Sequence, residues 1–467
     1  MTKRIEEDSM GPIEVNEDRL WGAQTQRSLN HFSIGREHMP EEIIHAYSVI
    51  KEAAATVNAK NKSLSQEKSN LIKKACQDIR HGKLADHFPL YVWQTGSGTQ
   101  THMNVNEVIA NHAAQQQGMP LGGKKPLHPN DDINIGQSSN DTFPTAMHIA
   151  VCQLICHQLL PALHQIKSTL AQKISEFDDI IKIGRTHLQD AVPLTLGQSF
   201  SSYYAQIEDS ERDIFEGLER CYRLAIGGSA VGTGLNTPKN FKQEMIDAIC
   251  TITSLPFEAN PNAFSALSAH HEINKLNFSL TNLASSLSKM ANDIRYLASG
   301  PRAGLGELIL PQNEPGSSIM PGKVNPTQCE ALTMIAAQVM GNSTTINIAA
   351  SQGQFELNVY KPVIAHNIIQ SLKLLSDGVR AFDQHCLQGI QANKEKINQH
   401  VESSLMLVAA LNSTIGYDQA AKVAKQAHQD NTSLKEACLA MNLLDEATLD
   451  RLLDPSNMIP EQDDDFQ

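Results

Sequence analysis

The chain has 467 residues, of which 41% are hydrophobic and 19% charged, enough to bury one very large core or two to four ordinary ones. Its net charge of -13 argues against nucleic acid as a partner, because phosphate binding needs a basic face. No run of about 18 or more apolar residues is present to suggest a membrane span. The opening residues Met1 to Asp8 lack the apolar stretch of a secretory signal and are too acidic for a transit peptide, so a cytoplasmic location is expected.

In chain order, the first polar cluster is Thr95-Gly96-Ser97-Gly98-Thr99-Gln100-Thr101, followed by Asn104 and Asn106. Its glycines let backbone amides approach an anion, and its hydroxyls add donors. It lacks the Gly-Lys-Ser/Thr ending of a phosphate loop, and the plainer reading is a loop that enters a helix. The second cluster runs from His128-Pro129-Asn130-Asp131-Asp132 to Gln137-Ser138-Ser139-Asn140-Asp141. Asn140 or Asp141 is placed to cap a helix beginning near Phe143-Pro144, and a helix N-terminus also suits a substrate carboxylate. A Pro/Gly/Asp-rich stretch ends near Gly136, so the first boundary falls there.

Leu159, Leu163, Ile166, Leu170 and Ile174 follow a helical period, with Pro161 as the expected kink. Next comes Gly184-Arg185-Thr186-His187-Leu188-Gln189-Asp190, a polar cluster before a long helix over about 195–225. A lone histidine is more often surface or core than site, but Thr186 and Gln189 beside His187 favour a role. Gly227 to Gly234 is glycine-rich, yet no strand precedes it and no suitably spaced acid follows, so a loop near the site is expected rather than a dinucleotide fingerprint.

Leu276, Leu280, Leu283, Leu287, Met290, Ile294 and Leu297 form an apolar stripe on one long helix. Small polar residues on its other faces, such as Thr281, Asn282, Ser285 and Ser286, suit packing on several sides and hint at association through helices. A further helix is expected over 328–350, breaking near Gly353. Beyond about 390 the helices should be short, and the acidic tail Glu461 to Asp465 should fray. With no long alternating pattern and only 5% aromatics, the fold class is mainly α. The expected domains are 1–137, 138–390 and 391–467. The eight cysteines form no CxxC pair, so reduced structural thiols are expected rather than a cluster, zinc site or disulfide scaffold.

Gly316-Ser317-Ser318-Ile319-Met320-Pro321-Gly322-Lys323-Val324-Asn325-Pro326 carries the densest chemistry. Two hydroxyls, a cation and an amide donor sit among glycines and prolines, which is loop grammar. A buried core has no use for that set. A site that holds a carboxylate while a proton leaves the neighbouring carbon would use all of it. Glu330 follows in the first turn of the next helix, where the helix dipole alone would also favour it.

This run, together with Trp21 to Ser28 and the clusters above in the same order, resembles the fumarase/aspartase superfamily over nearly the whole chain. The closer resemblance is to its class II fumarase branch. His187 and Ser138-Ser139-Asn140 match that branch, whereas aspartate ammonia-lyases typically carry Gln at the former position and Ser-Thr-Asn at the latter. The resemblance implies a three-domain lyase whose long central helices form a shared tetrameric core. It implies a metal-free hydratase of the tricarboxylic acid cycle, with no cofactor and with each site drawn from three subunits. By the same resemblance Ser317 is the base, and His187 with Glu330 handles water. Lys323 and Asn325 stabilise the aci-carboxylate. Ser97, Gly98, Thr99, Ser138, Ser139, Asn140, Thr186, Ser318 and Val324 bind substrate. A peripheral anion site is implied at Lys125, His128, Pro129, Asn130 and Asp131, with Lys125 where many relatives place Arg, so charge is kept but a bidentate fork is lost.

Overall fold

A computed structural model describes residues 2–459, and the acidic tail lies outside them. The fold is mostly helical, as expected, with short two-stranded pairings. It divides into two compact units: the chain up to Pro161 with Ser210–Ala284 and Ala336–Ser376, and Ala162–Asp209 with Ser285–Ile335 and the chain from Asp377 onward. The long helices Leu196–Cys221, His271–Leu297 and Thr327–Ala350 each contribute a stretch to both units, and Lys361–His385 does the same.

In the first unit, Glu41–Lys60 packs on Gln66–Arg80, Ser139–Leu154 and Phe241–Thr253. Ile43, Ala46, Tyr47, Ile50, Ala53 and Ala54 recur at helical spacing and are all buried. Lys51 sits among them and is only 1% exposed, a cation at a core position. The Glu107 carboxylate accepts the Gly22, Gln24 and Thr25 amides and the Thr25 hydroxyl, which ties the start of the Ala23–His31 helix to the Thr99–Gln116 helix.

The Ser139–Leu154 helix begins four residues earlier than expected. Ser138 is its cap, accepting the Asn140 amide, while Asp141 completes a capping box by accepting the Ser138 amide. The kink assigned to Pro161 takes a different form. A π-turn over Ile155–Leu159 precedes it and leads into the Leu160–Glu176 helix. Proline has no N–H to give the carbonyl four residues back and its ring crowds that carbonyl, and the widened turn just before it accommodates both. The whole Ser139–Glu176 rod is long and apolar enough to cross a bilayer by length and composition, but most of it is buried inside the protein.

Leu276, Leu280, Leu283, Leu287, Met290 and Ile294 are all buried, as the stripe requires. Phe278, Tyr296, Met334 and Ile348 are more than half exposed on the same helix or on Thr327–Ala350. In the second unit, Ile183, Val401, Leu407, Leu411, Val423, Leu434 and Leu449 form a core under the short C-terminal helices. Lys394–Ser403 packs on the strand Ile181–Thr186. That strand belongs to a hairpin with Gln189–Thr195 that the sequence reading missed. A two-residue strand, Arg223–Leu224, also precedes the glycine-rich loop, contrary to expectation. The cysteines are free thiols.

Candidate active site

The first unit assembles the hydroxyl-rich half of the predicted site. Gly98 adopts φ +73 as the cap of Thr99–Gln116, and a Cβ there would lie 2.0 Å from the Phe143 ring. Only glycine lets the loop lie this close to the Ser139–Leu154 helix. The Ser97 and Thr99 hydroxyls are 2.8 Å apart, and Gln94 and Gln100 close the loop through Thr101 and Thr95. Ser139 Oγ lies 2.8 Å from His102 Nδ1, which joins the two clusters. Asn140 donates to the Ala230 carbonyl at 2.8 Å. Asp141 accepts the Gly227 and Ser229 amides at 3.0 and 2.9 Å, so the glycine-rich loop is bound to the start of the helix. Burial raises the Asp141 carboxyl to about 7, against the pull of its backbone donors.

The second unit carries the remaining predicted residues on two devices. His187 and Leu188 form the two-residue tip of the hairpin, with Thr186 paired to Gln189. Both tip residues have positive φ, +56 and +61, the twist a tight hairpin demands and one that bulky side chains resist. Gly184 makes the bulge below them possible, since a Cβ there would meet the Val192 carbonyl at 2.7 Å. The hairpin base is held by Glu307, which is fully buried against Arg185 at 2.6 Å, Lys182 at 3.3 Å and His400 at 3.0 Å. Burial opposes ionisation of Glu307, but Arg185 and Lys182 prevail and hold its pKa below the ordinary value.

The second device is the loop from Gly316 to Asn325. Gly316 donates to the Lys323 carbonyl at 2.8 Å, and Asn325 Nδ2 donates to the Gly316 carbonyl at 2.7 Å. Ser317 Oγ accepts the Ile319 and Met320 amides at 3.2 and 3.1 Å. Those two amides point at the oxygen that must carry negative charge if Ser317 is to act as a base. Ser318, Lys323, Val324 and Glu330 are exposed, with Glu330 in the first turn of Thr327–Ala350. Among the described residues no hydrogen bond joins His187 to Glu330 or to Ser317 within one chain.

The residues of the predicted peripheral site divide. His128, Pro129, Asn130 and Asp131 line a cavity of about 390 Å³, but the lysine beside them is Lys124, whereas Lys125 is exposed and outside the lining. Glu6, Glu7, Asp8 and Glu107 line the same cavity. His128 Nδ1 accepts the Asn130 and Asp131 amides, so the ring proton of the neutral form sits on Nε2. Lys51 and His102 were missed as supporting residues, and Asp141 was expected at the helix cap but not as the anchor of the glycine-rich loop. A lysine on the buried face of Glu41–Lys60 was the one signal that could have shown the first of them.

A lyase family model matches residues 11–341, and a model of the fumarase C C-terminus matches 407–460. A class II fumarate hydratase of Helicobacter pylori is 55% identical over 459 residues, covering 98% of this chain and 99% of the relative. A mitochondrial fumarate hydratase of Rhizopus oryzae is 56% identical over 462 residues, 98% and 93% of the two chains. The crystal structure of a class II fumarase from Schistosoma mansoni superposes with a TM-score of 0.95 at 43% identity, covering 98% of this chain and 99% of that one. The chain belongs to the lyase family and, within it, to the class II fumarate hydratases.

Proposed function

We propose that the chain interconverts fumarate and L-malate by anti addition and loss of water, as a metal-independent hydro-lyase of the tricarboxylic acid cycle in the cytoplasm. The observation that carries this reading is the Gly316–Asn325 loop, which sets a serine oxygen against two backbone amides beside Lys323 and Asn325. Malate gives up a proton from carbon 3, next to a carboxylate, and the charge moves onto that carboxylate as an aci-dianion. Lys323 and the free amide hydrogen of Asn325 stabilise it. Each preorganised donor of this kind is worth about 3–4 kcal/mol. Ser317 takes the proton, and His187 with Glu330 manages the departing hydroxyl. Ser97, Gly98, Thr99, Ser138, Ser139, Asn140, Thr186, Ser318 and Val324 hold the dicarboxylate.

The absence of a His187 hydrogen bond to Glu330 within one chain fits a site completed by other subunits. Exposed Phe278, Met334 and Ile348 on long helices suit burial in a homotetramer whose sites each draw on three chains. In that assembly 1–137, 138–390 and 391–467 act as three domains. A second anion site at Lys125, His128, Pro129, Asn130 and Asp131 belongs to the same reading, with Lys124 as the nearer cation. The five carboxylates lining that cavity, Glu6, Glu7, Asp8, Glu107 and Asp131, weaken its hold on a dianion.

The test is fumarate absorbance with L-malate and, separately, L-aspartate, before and after exhaustive chelation. Fumarate from malate alone, unchanged by chelation, is the expected result. Fumarate from aspartate alone would move the chain to ammonia-lyase chemistry, and activity lost on chelation and restored by iron would overturn the metal-free reading.

A further inference from the structure

Behind the substrate hydroxyls lies a buried chain of polar groups. Lys51 and His102 are each 1% exposed. Lys51 Nζ reaches three acceptors: His102 Nε2 at 2.7 Å, Gln137 Oε1 at 2.8 Å and Asn134 Oδ1 at 3.3 Å. The orientations of the two amides are set independently. Gln137 Nε2 donates to the Ile133 and Ile135 carbonyls, and Asn134 Nδ2 donates to the Gln137 carbonyl, so both amide oxygens must face the lysine. An ammonium has three protons and no lone pair, and here each proton has one acceptor. With Lys51 charged, His102 Nε2 is bare, which puts the ring proton on Nδ1. From Nδ1 it is donated to Ser139 Oγ at 2.8 Å. A serine oxygen that accepts on that side keeps its own proton for another partner.

We propose that Lys51 and His102 are positioning residues that orient the Ser139 hydroxyl so that it donates its proton into the substrate site. The surroundings agree with a neutral ring. Burial and the neighbouring Lys51 hold His102 well below its ordinary pKa. Tyr47 stacks on the ring at 5.4 Å between centroids and blocks its rotation. Burial also draws Lys51 down to about 7, so the ammonium depends on its three acceptors, with Cys76 and Asp141 acting weakly in favour of its charge. A neutral amine could accept a proton from Nε2 instead. The ring would then take the other tautomer, and Ser139 would have to turn its proton inward, away from a carboxylate.

The effect on turnover rests on the reading that Ser139 grips a substrate carboxylate, so the test has one arm that does not. With histidine labelled in 15N, and the His102 resonance identified by its loss in His102→Asn, the unliganded protein should show Nδ1 protonated and Nε2 bare. A proton on Nε2 would overturn the proposal whether or not the enzyme turns over malate. In the kinetic arm, His102→Leu should raise KM for malate about tenfold with kcat changed far less, the loss of one donor to a charged group. His102→Asn, whose amide can stand in for Nδ1–H, should recover most of that loss. An unchanged KM in His102→Leu, or an Asn variant no better than Leu, would overturn the proposal. Inactivity of the wild type with malate would instead defeat the hydratase reading, leaving the spectrum to decide this one.

Discussion

The Asp141 carboxylate accepts the Ser229 amide at 2.9 Å, and with it the Gly227 amide, while its other oxygen accepts the Ser138 amide. One buried side chain therefore ties the cap of the Ser139–Leu154 helix to a loop some ninety residues on. Asp141→Ala orphans three donors and should cost about 1–3 kcal/mol or more, read from the urea midpoint. The pH dependence has a definite sign. The folded carboxyl lies at about 7, above an unfolded value near 4. Its contribution is complete below about pH 4 and is lost as pH rises to 7. The Tm of the wild type relative to Asp141→Asn should therefore fall between those values and stay level above them.

Ser317→Ala should nearly abolish malate turnover and leave the circular dichroism spectrum unchanged. Lys323→Met should lower kcat by about 100- to 1000-fold, the effect of removing one preorganised donor to a developing oxyanion. Normal kcat in either variant would remove that residue from the mechanism.

His187→Asn should lower turnover and leave dicarboxylate binding measurable by calorimetry. Leu188, beside it, carries positive φ at 77% exposure, so it contributes no packing that would offset its strained backbone. Leu188→Gly relieves about 1–2 kcal/mol of left-handed strain and loses about 0.5–1 kcal/mol through unfolded-chain entropy. A net gain of roughly 0–1.5 kcal/mol in unfolding free energy is expected, and a loss would show that the tip is not strained.

Glu307→Gln leaves Lys182 and Arg185 without their buried counter-charge. Breaking a buried pair from one side costs about 3–5 kcal/mol. The hairpin tip should also become more mobile, seen as faster amide exchange at Arg185 to Gln189.

Gly98→Ala places a methyl 2.0 Å from Phe143 on a left-handed backbone. Strain of about 1–2 kcal/mol and overpacking of about 1–3 kcal/mol combine. A loss of at least ~2 kcal/mol in urea unfolding is expected, with a higher KM because Ser97 and Thr99 shift.

The long helices were legible because an apolar stripe at 3.6-residue spacing needs only local information. The Leu276 to Ile294 positions are buried as that spacing demands. The Gly316 to Asn325 loop was legible for a similar reason: its donors, its cation and its breakers lie within eleven consecutive residues. The His187 hairpin was not, because its strands are short, partly polar and interrupted by a bulge at Gly184, and its tip uses residues that do not signal a tight turn. Nor did a one-dimensional reading, which offered Asn140 or Asp141, find that Ser138 caps the helix, since all three residue types are good caps. Composition and spacing by themselves determined the helical class, the polar clusters and their order. Only the tertiary structure decided what stands behind them, because Lys51 meets His102, His102 meets Ser139, and Glu307 meets Arg185, across separations of 37 to 122 residues. Contacts that distant leave no periodic trace in the chain. Burial of their charges, which makes those contacts obligatory, is a property of the packed core alone.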